Sequence, residues 1–91
     1  MGNNYLSEEQ IDVIDRHGVM LAHGFNAALL GLSHRANEPV LAVYSYEAMV
    51  NVCVERDGMD YEDAIEYVDF YVIDQWVGPK TPIVVMDVLL W

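Results

Sequence analysis

Apolar positions recur along this chain at two different spacings. Leu6, Ile11 and Ile14 open a helical stripe, and the polar residues between them carry a start signal. Ser7 stands three positions before Gln10, the spacing of a capping box, while Leu6 and Ile11 flank the cap as a hydrophobic staple does. Glu8, Glu9 and Asp12 place negative charge in the first turns, which the helix dipole favours, and His17-Gly18 supplies a stop. A helix over residues 8–17 is predicted, with Ile11 and Ile14 on its buried stripe. Residues 19–35 admit two readings. Phe25, Ala28, Leu29 and Leu32 fit helical spacing, yet Gly24 and Gly31 oppose a long helix. The alternative is a strand over residues 29–34, a polar turn at Arg35-Ala36-Asn37-Glu38 and a return strand over 39–44. Pro39 suits the first position of that strand, and Val40, Val43 and Tyr44 favour extended backbone. The hairpin is the better fit.

Ser45 caps a second helix over residues 46–56. Met49, Val50, Cys53 and Val54 form its inward face, with Glu47, Asn51 and Glu55 turned outward. Val50, Val52 and Val54 alternate as a strand would, so the outward polar stripe decides for helix. Asp57-Gly58 breaks the chain, and Asp60 caps a third helix over residues 61–75 whose core face is Tyr61, Ala64, Ile65, Val68 and Val72. Gly78-Pro79-Lys80-Thr81-Pro82 is a loop that cannot stay helical. Residues 83–86 are a β-branched run read as the last strand, and residues 87–91 an apolar tail. The order is αββααβ. It implies an α+β domain in which a small three-stranded sheet, a β-hairpin plus a C-terminal strand, packs against three helices on one face.

The chain's 91 residues make one small domain, residues 1–91, and 54% hydrophobic against 21% charged residues is a globular balance. Four Lys and Arg against fifteen Asp and Glu give a net charge of −11, which argues against direct binding to nucleic acid or anionic lipid. No apolar run approaches the roughly 20 residues that span a bilayer. No basic segment precedes an apolar stretch as a signal peptide requires, and the lone Cys53 excludes an internal disulfide; both suit the cytoplasm. Two Trp, six Tyr, two Phe and five Met exceed what so short a chain needs for a core, so some apolar surface is expected to face a partner, with a homodimer as the default.

The acid is concentrated. Asp57, Asp60, Glu62, Asp63, Glu66, Asp69 and Asp74 fall within eighteen positions that hold no base. At 100° per residue, Glu62, Glu66 and Asp69 line one stripe of the third helix, Asp63 and Asp74 flank it, and Phe70 and Ile73 project into the same sector. One reading is a solvated face with Phe70 tucked under the following loop. The sharper one is an acidic surface with apolar anchors, suited to a basic groove on a protein. Carboxylates about 5–6 Å apart along a helix also approximate the spacing of phosphates on a nucleic-acid strand, so mimicry of nucleic-acid charge is a further expectation.

Catalytic and metal signals are weak. His17, His23 and His34 lack the spacing of a zinc site, and no EF-hand, P-loop, dinucleotide fingerprint or nucleophile elbow is present. Ser7 and Ser45 are explained as caps, and adjacent strand residues Ser33 and His34 point to opposite faces. His34 and Arg35 beside the turn are the candidate for a small anion. No enzyme activity, metal or cofactor is expected.

Ala42-Val43-Tyr44-Ser45-Tyr46, Arg56-Asp57-Gly58-Met59 and Tyr61-Glu62-Asp63-Ala64-Ile65-Glu66-Tyr67 follow one another in order, and Phe70, Val77-Gly78 and Thr81-Pro82-Ile83 continue the series. In this, residues 39–85 resemble a family of small, acidic, uncharacterised proteins of bacteriophages and prophages; residues 30–35 resemble the segment before that family's strand. Tyr71 stands where the family usually has Asn, Asp74-Gln75 where a Gly-Ala pair is common, and Pro79 where Glu is frequent. The resemblance brings no biochemical activity. It implies a cytoplasmic protein made in an infected or lysogenic bacterium and directs attention to host machinery.

Together these features lead to one expectation: a non-enzymatic phage accessory protein that binds a host or defence protein. Its contact residues would be Glu62, Asp63, Glu66, Asp69, Phe70 and Asp74. Two alternatives stand beside it. One is a small-ligand binder or sponge with a pocket bounded by the hairpin, Arg35 and the loop over residues 77–82. The other is a homo-oligomeric structural protein whose tail, residues 88–91, packs into a dimer.

Overall fold

A computed structural model describes residues 6–87. The first helix, α1 (Glu8–His17), begins as its sequence dictates. Ser7 Oγ accepts from the Gln10 amide at 3.1 Å, and the Gln10 side chain accepts from the Ser7 amide at 2.7 Å. Gly18 ends it in the left-handed region at φ 60°. Lys80 completes that end: its Nζ donates to the Gly18 carbonyl at 2.9 Å, setting a cation at the negative pole of the helix. Ile14 is buried, but Ile11 is 45% exposed, against expectation. The inward side of α1 is the one bearing Gln10, Val13 and Ile14, which borders a cleft with residues 29–32, and Ile11 falls outside that arc.

The hairpin reading of residues 29–44 is the one observed. After a short 3₁₀ turn (Asn26–Ala28), β1 (Leu29–Ser33) pairs antiparallel with β2 (Leu41–Ser45). Asn37 turns the loop at φ 65°, a conformation that asparagine tolerates. His34, Pro39 and Val40 lie outside the strands. The register shifts between Leu29 and Gly31, a bulge that leaves Leu30 60% exposed. The third strand, β3 (Ile83–Val85), lies parallel to β2 on its other side, so the sheet is mixed with order β1-β2-β3. Met86, expected within this strand, lies beyond it and is exposed, while the tail over residues 88–91 lies outside the described residues.

Along β2, Ala42 and Tyr44 point inward and are fully buried. They meet α2 (Tyr46–Asp57), which supplies Met49, Val50 and Cys53, and α3 (Tyr61–Val68), which supplies Ala64 and Val68. Phe25 and Ala28 close the cluster. Tyr61, expected on this core face, is 56% exposed. It occupies the first position of α3, a turn ahead of Ala64, where the helix end meets water.

Two polar links tie this layer together. The Tyr44 hydroxyl accepts from the Ala22 amide at 2.8 Å, holding the segment after α1 against the sheet. Ser45 Oγ accepts from the Ala48 amide at the start of α2 and donates to Asp87 at 2.5 Å, while Asp87 also accepts from the Glu47 amide at 3.1 Å. Asp87, read with the apolar tail, is therefore a second cap on α2. Those bonds hold its carboxyl below the ordinary range, the Ser45 hydroxyl contributing most. Arg56 fixes the far end of α2. It forks onto Asp57 at 2.9 Å, donates to the Gly24 carbonyl, and sets its guanidinium carbon 5.4 Å from the centre of the Phe25 ring.

Candidate functional site

Asp60 Oδ1 accepts from the Asp63 amide at 3.0 Å and starts α3, with Glu62 and Asp63 in the favoured acidic first turn. The helix expected to reach residue 75 stops being α-helical after Val68. A π turn (Asp69–Ile73) follows, marked by the Asp74 amide donating to the carbonyl of Asp69, five residues back, at 3.2 Å. A π turn takes more residues per revolution, so neighbouring side chains are less widely splayed than on an α-helix. Val72 still packs against the core. Phe70 and Tyr71, 61% and 57% exposed, are held together in water, their ring centres 4.9 Å apart and nearly perpendicular. Tyr71 also meets Tyr67, one turn earlier, at 4.8 Å. The three rings form a continuous aromatic ledge.

Beside the ledge runs a shallow groove of about 470 Å³ lined by Met59, Asp63, Glu66, Tyr67, Phe70 and Tyr71. Three of the expected contact residues, Asp63, Glu66 and Phe70, meet there. Glu62 and Asp74 are exposed but do not line it. Asp69 has a structural task, because its carboxylate accepts from the Tyr46 hydroxyl at 2.8 Å and joins the end of α3 to the start of α2. Phe70 is not tucked under the following loop, nor is Ile73, which is 44% exposed. Trp76, 75% exposed, extends the aromatic surface in sequence. Sequence reasoning missed Met59, Tyr67, Tyr71 and Trp76. The spacing of four between Tyr67 and Tyr71 was the available signal, but it equally describes a core stripe.

Partial burial and then the hydrogen bond and charge of Asp69 push the Tyr46 phenol up to about 12. A phenol raised in the folded state adds stability that is fully present below its unfolded value near 10 and is lost as pH rises through about 12. Phenolate absorbance during an alkaline titration is therefore expected to show Tyr46 among the last tyrosines to ionise, together with buried Tyr44, whose phenol is also raised. Tyr46→Phe removes one late step and flattens the loss of stability over that window. An unchanged late step in the variant would refute the Tyr46–Asp69 coupling.

A second cleft, of about 370 Å³, lies behind Tyr71. Leu21, Phe25, Tyr67, Val72, Val77 and Pro82 are among its walls, with His23, Gln75 and Thr81 as polar points. The loop over residues 77–82 thus borders a cavity as expected, but the hairpin turn and Arg35 do not. Thr81 Oγ1 is occupied locally, accepting from the Val77 amide and donating to the Gly78 carbonyl. His34 and Arg35 are exposed on the hairpin loop and border neither cleft; the Arg35 guanidinium lies 3.9 Å from Glu38. Among the described residues no three His, Cys, Asp or Glu side chains gather as a metal site. Cys53 is buried in the core, and that burial raises its thiol. No helix among the described residues is long and apolar enough to cross a membrane. No protein-family model, curated protein or solved structure matches the chain.

Proposed function

We propose that this protein is a non-enzymatic binding protein that docks on a basic surface of another protein through α3 and the π turn that follows it. The observation that carries this reading is the exposure of Phe70, Tyr71 and Trp76, at 61%, 57% and 75%, the first two lining one groove with Asp63 and Glu66. Large aromatic side chains in water are costly to a soluble domain and are the residues that dominate protein interfaces. Surrounding carboxylates steer a basic partner and repel acidic ones. The resemblance of residues 39–85 to small acidic phage proteins supports a host or defence factor as that partner. The acidic stripe alone would suit a mimic of nucleic-acid charge, but mimicry does not call for exposed aromatic rings.

The test is affinity capture from bacterial lysate, comparing the native chain with a Phe70→Ser, Trp76→Ser double variant and repeating both with excess duplex DNA. A partner bound by the native chain and weakened by about 100-fold or more in the variant is expected, since interface hot spots cost about 2 kcal/mol or more each. Equal capture by both proteins would remove the aromatic surface from the function. Displacement of the partner by DNA would assign the site to nucleic-acid mimicry. An empty capture would shift the function to the cleft behind Tyr71 and a small ligand.

A further inference from the structure

The groove beside the aromatic ledge has a chemistry of its own. Asp63 and Glu66 are one turn apart on α3, about 5–6 Å between Cβ atoms. Neither carboxylate has a hydrogen-bond or ion-pair partner among the described residues. The chain holds only four Lys and Arg, and each is committed elsewhere. Arg16 pairs with Asp12 at 3.2 Å, Arg35 faces Glu38, Arg56 forks onto Asp57, and Lys80 caps α1. No Lys or Arg of this chain supplies a counter-charge to the groove, so a cation seated there comes from outside. Along the same helical segment, at i+4 from Asp63 and from Glu66, stand Tyr67 and Phe70, and Tyr71 adjoins both rings at 39° and 89°, so that ring faces and edges turn in different directions.

We propose that this groove seats an arginine side chain of the partner protein, with the guanidinium plane laid on one ring face of the aromatic ledge and its N–H edge donating to Asp63 and Glu66. The inference rests on the docking function proposed above and names what that site recognises. A guanidinium combines the two properties the groove asks for: a flat cationic face that stacks on rings, and a fork of donors that matches carboxylates. An ammonium satisfies only the second as a point charge. The occupant belongs to a protein rather than being free arginine, because Phe70 and Tyr71, 61% and 57% exposed, leave more apolar surface than a single amino acid would cover.

The test is a nuclear magnetic resonance titration of the full chain with the capped peptide Gly-Gly-Arg-Gly-Gly, alongside versions carrying citrulline or lysine in place of the arginine. The arginine peptide is expected to shift the ring signals of Tyr67, Phe70 and Tyr71 saturably, with a dissociation constant of about 1 mM. The neutral citrulline peptide should shift nothing, and the lysine peptide should bind about threefold more weakly. Asp63→Asn with Glu66→Gln should abolish saturation, and Phe70→Leu should weaken binding about threefold. These side chains are exposed, so the thermal midpoint serves as a check that each variant is folded. Equal shifts from the arginine and citrulline peptides, no shift from the arginine peptide, or unaltered binding by the Asn/Gln variant would each overturn the assignment. Failure here with successful capture of a partner would leave the docking function standing without its arginine seat. Arginine binding with an empty capture would do the reverse.

Discussion

Replacing Tyr44 with alanine is expected to cost about 3–5 kcal/mol, in the range measured for large aromatic-to-alanine changes in cores. For a domain of this size the whole stability is about 5–14 kcal/mol, so the loss removes from about a fifth to all of it and should lower the denaturation midpoint in proportion. The reason is that Tyr44 performs two tasks from one position. Its ring is fully buried between the sheet and the helical layer, and its hydroxyl accepts from the Ala22 amide. Tyr44→Phe separates them. It preserves the packing and leaves a backbone donor without its partner, for an expected cost of about 1–3 kcal/mol. Urea denaturation of both variants measures the split. A phenylalanine variant as stable as the native chain would mean that the Ala22 amide is satisfied by water and that the bond does not secure residues 19–25.

Met49→Ala is the second large effect, at about 2–5 kcal/mol, because Met49 is fully buried on α2 within the core cluster. A cavity there would lie within the layer that α2 and α3 share, so relaxation to fill it would have to move a capped helix. Met49→Leu keeps the volume and should cost less than about 1.5 kcal/mol. Chemical denaturation again decides. Equal losses from the two substitutions would show that shape, rather than volume, governs this position.

The parts of the fold legible in the sequence are those whose causes are local. The capping box of Ser7 and Gln10, the caps at Ser45 and Asp60, and the stops at Gly18 and Gly58 all act within five residues, and all stand where the sequence places them. The hairpin was legible because its turn and its return strand adjoin. What escaped depends on distant partners. Nothing near Val68 announces the π turn; Asp69 is held by Tyr46, twenty-three positions away. Asp87 reads as the start of a tail until Ser45 is seen beside it. The exposure of Ile11 likewise follows from which arc of α1 faces residues 29–32, and that of Tyr61 from its place at the start of α3. In the candidate site, charge was readable and aromatic geometry was not. Asp63, Glu66 and Phe70 followed from their helical positions. Tyr67 and Tyr71 share a spacing of four that equally describes a core stripe, and the exposure of Tyr71 required knowledge of the π turn after α3.

The parallel pairing of β3 with β2 has a consequence for the time course of folding. The hairpin and the three capped helices form from contacts close in sequence, which are rapid to establish. The β2–β3 pair and the Ser45–Asp87 bond instead join positions up to forty-two apart. Closing a loop of that length carries its entropy cost before any contact rewards it. The middle strand must therefore wait with one edge unpaired while the rest of the layer assembles. During synthesis that edge stays open until residues 83–87 are made. The interval is the one in which the chain is most exposed to wrong pairing, since an open strand edge recruits any other strand it meets.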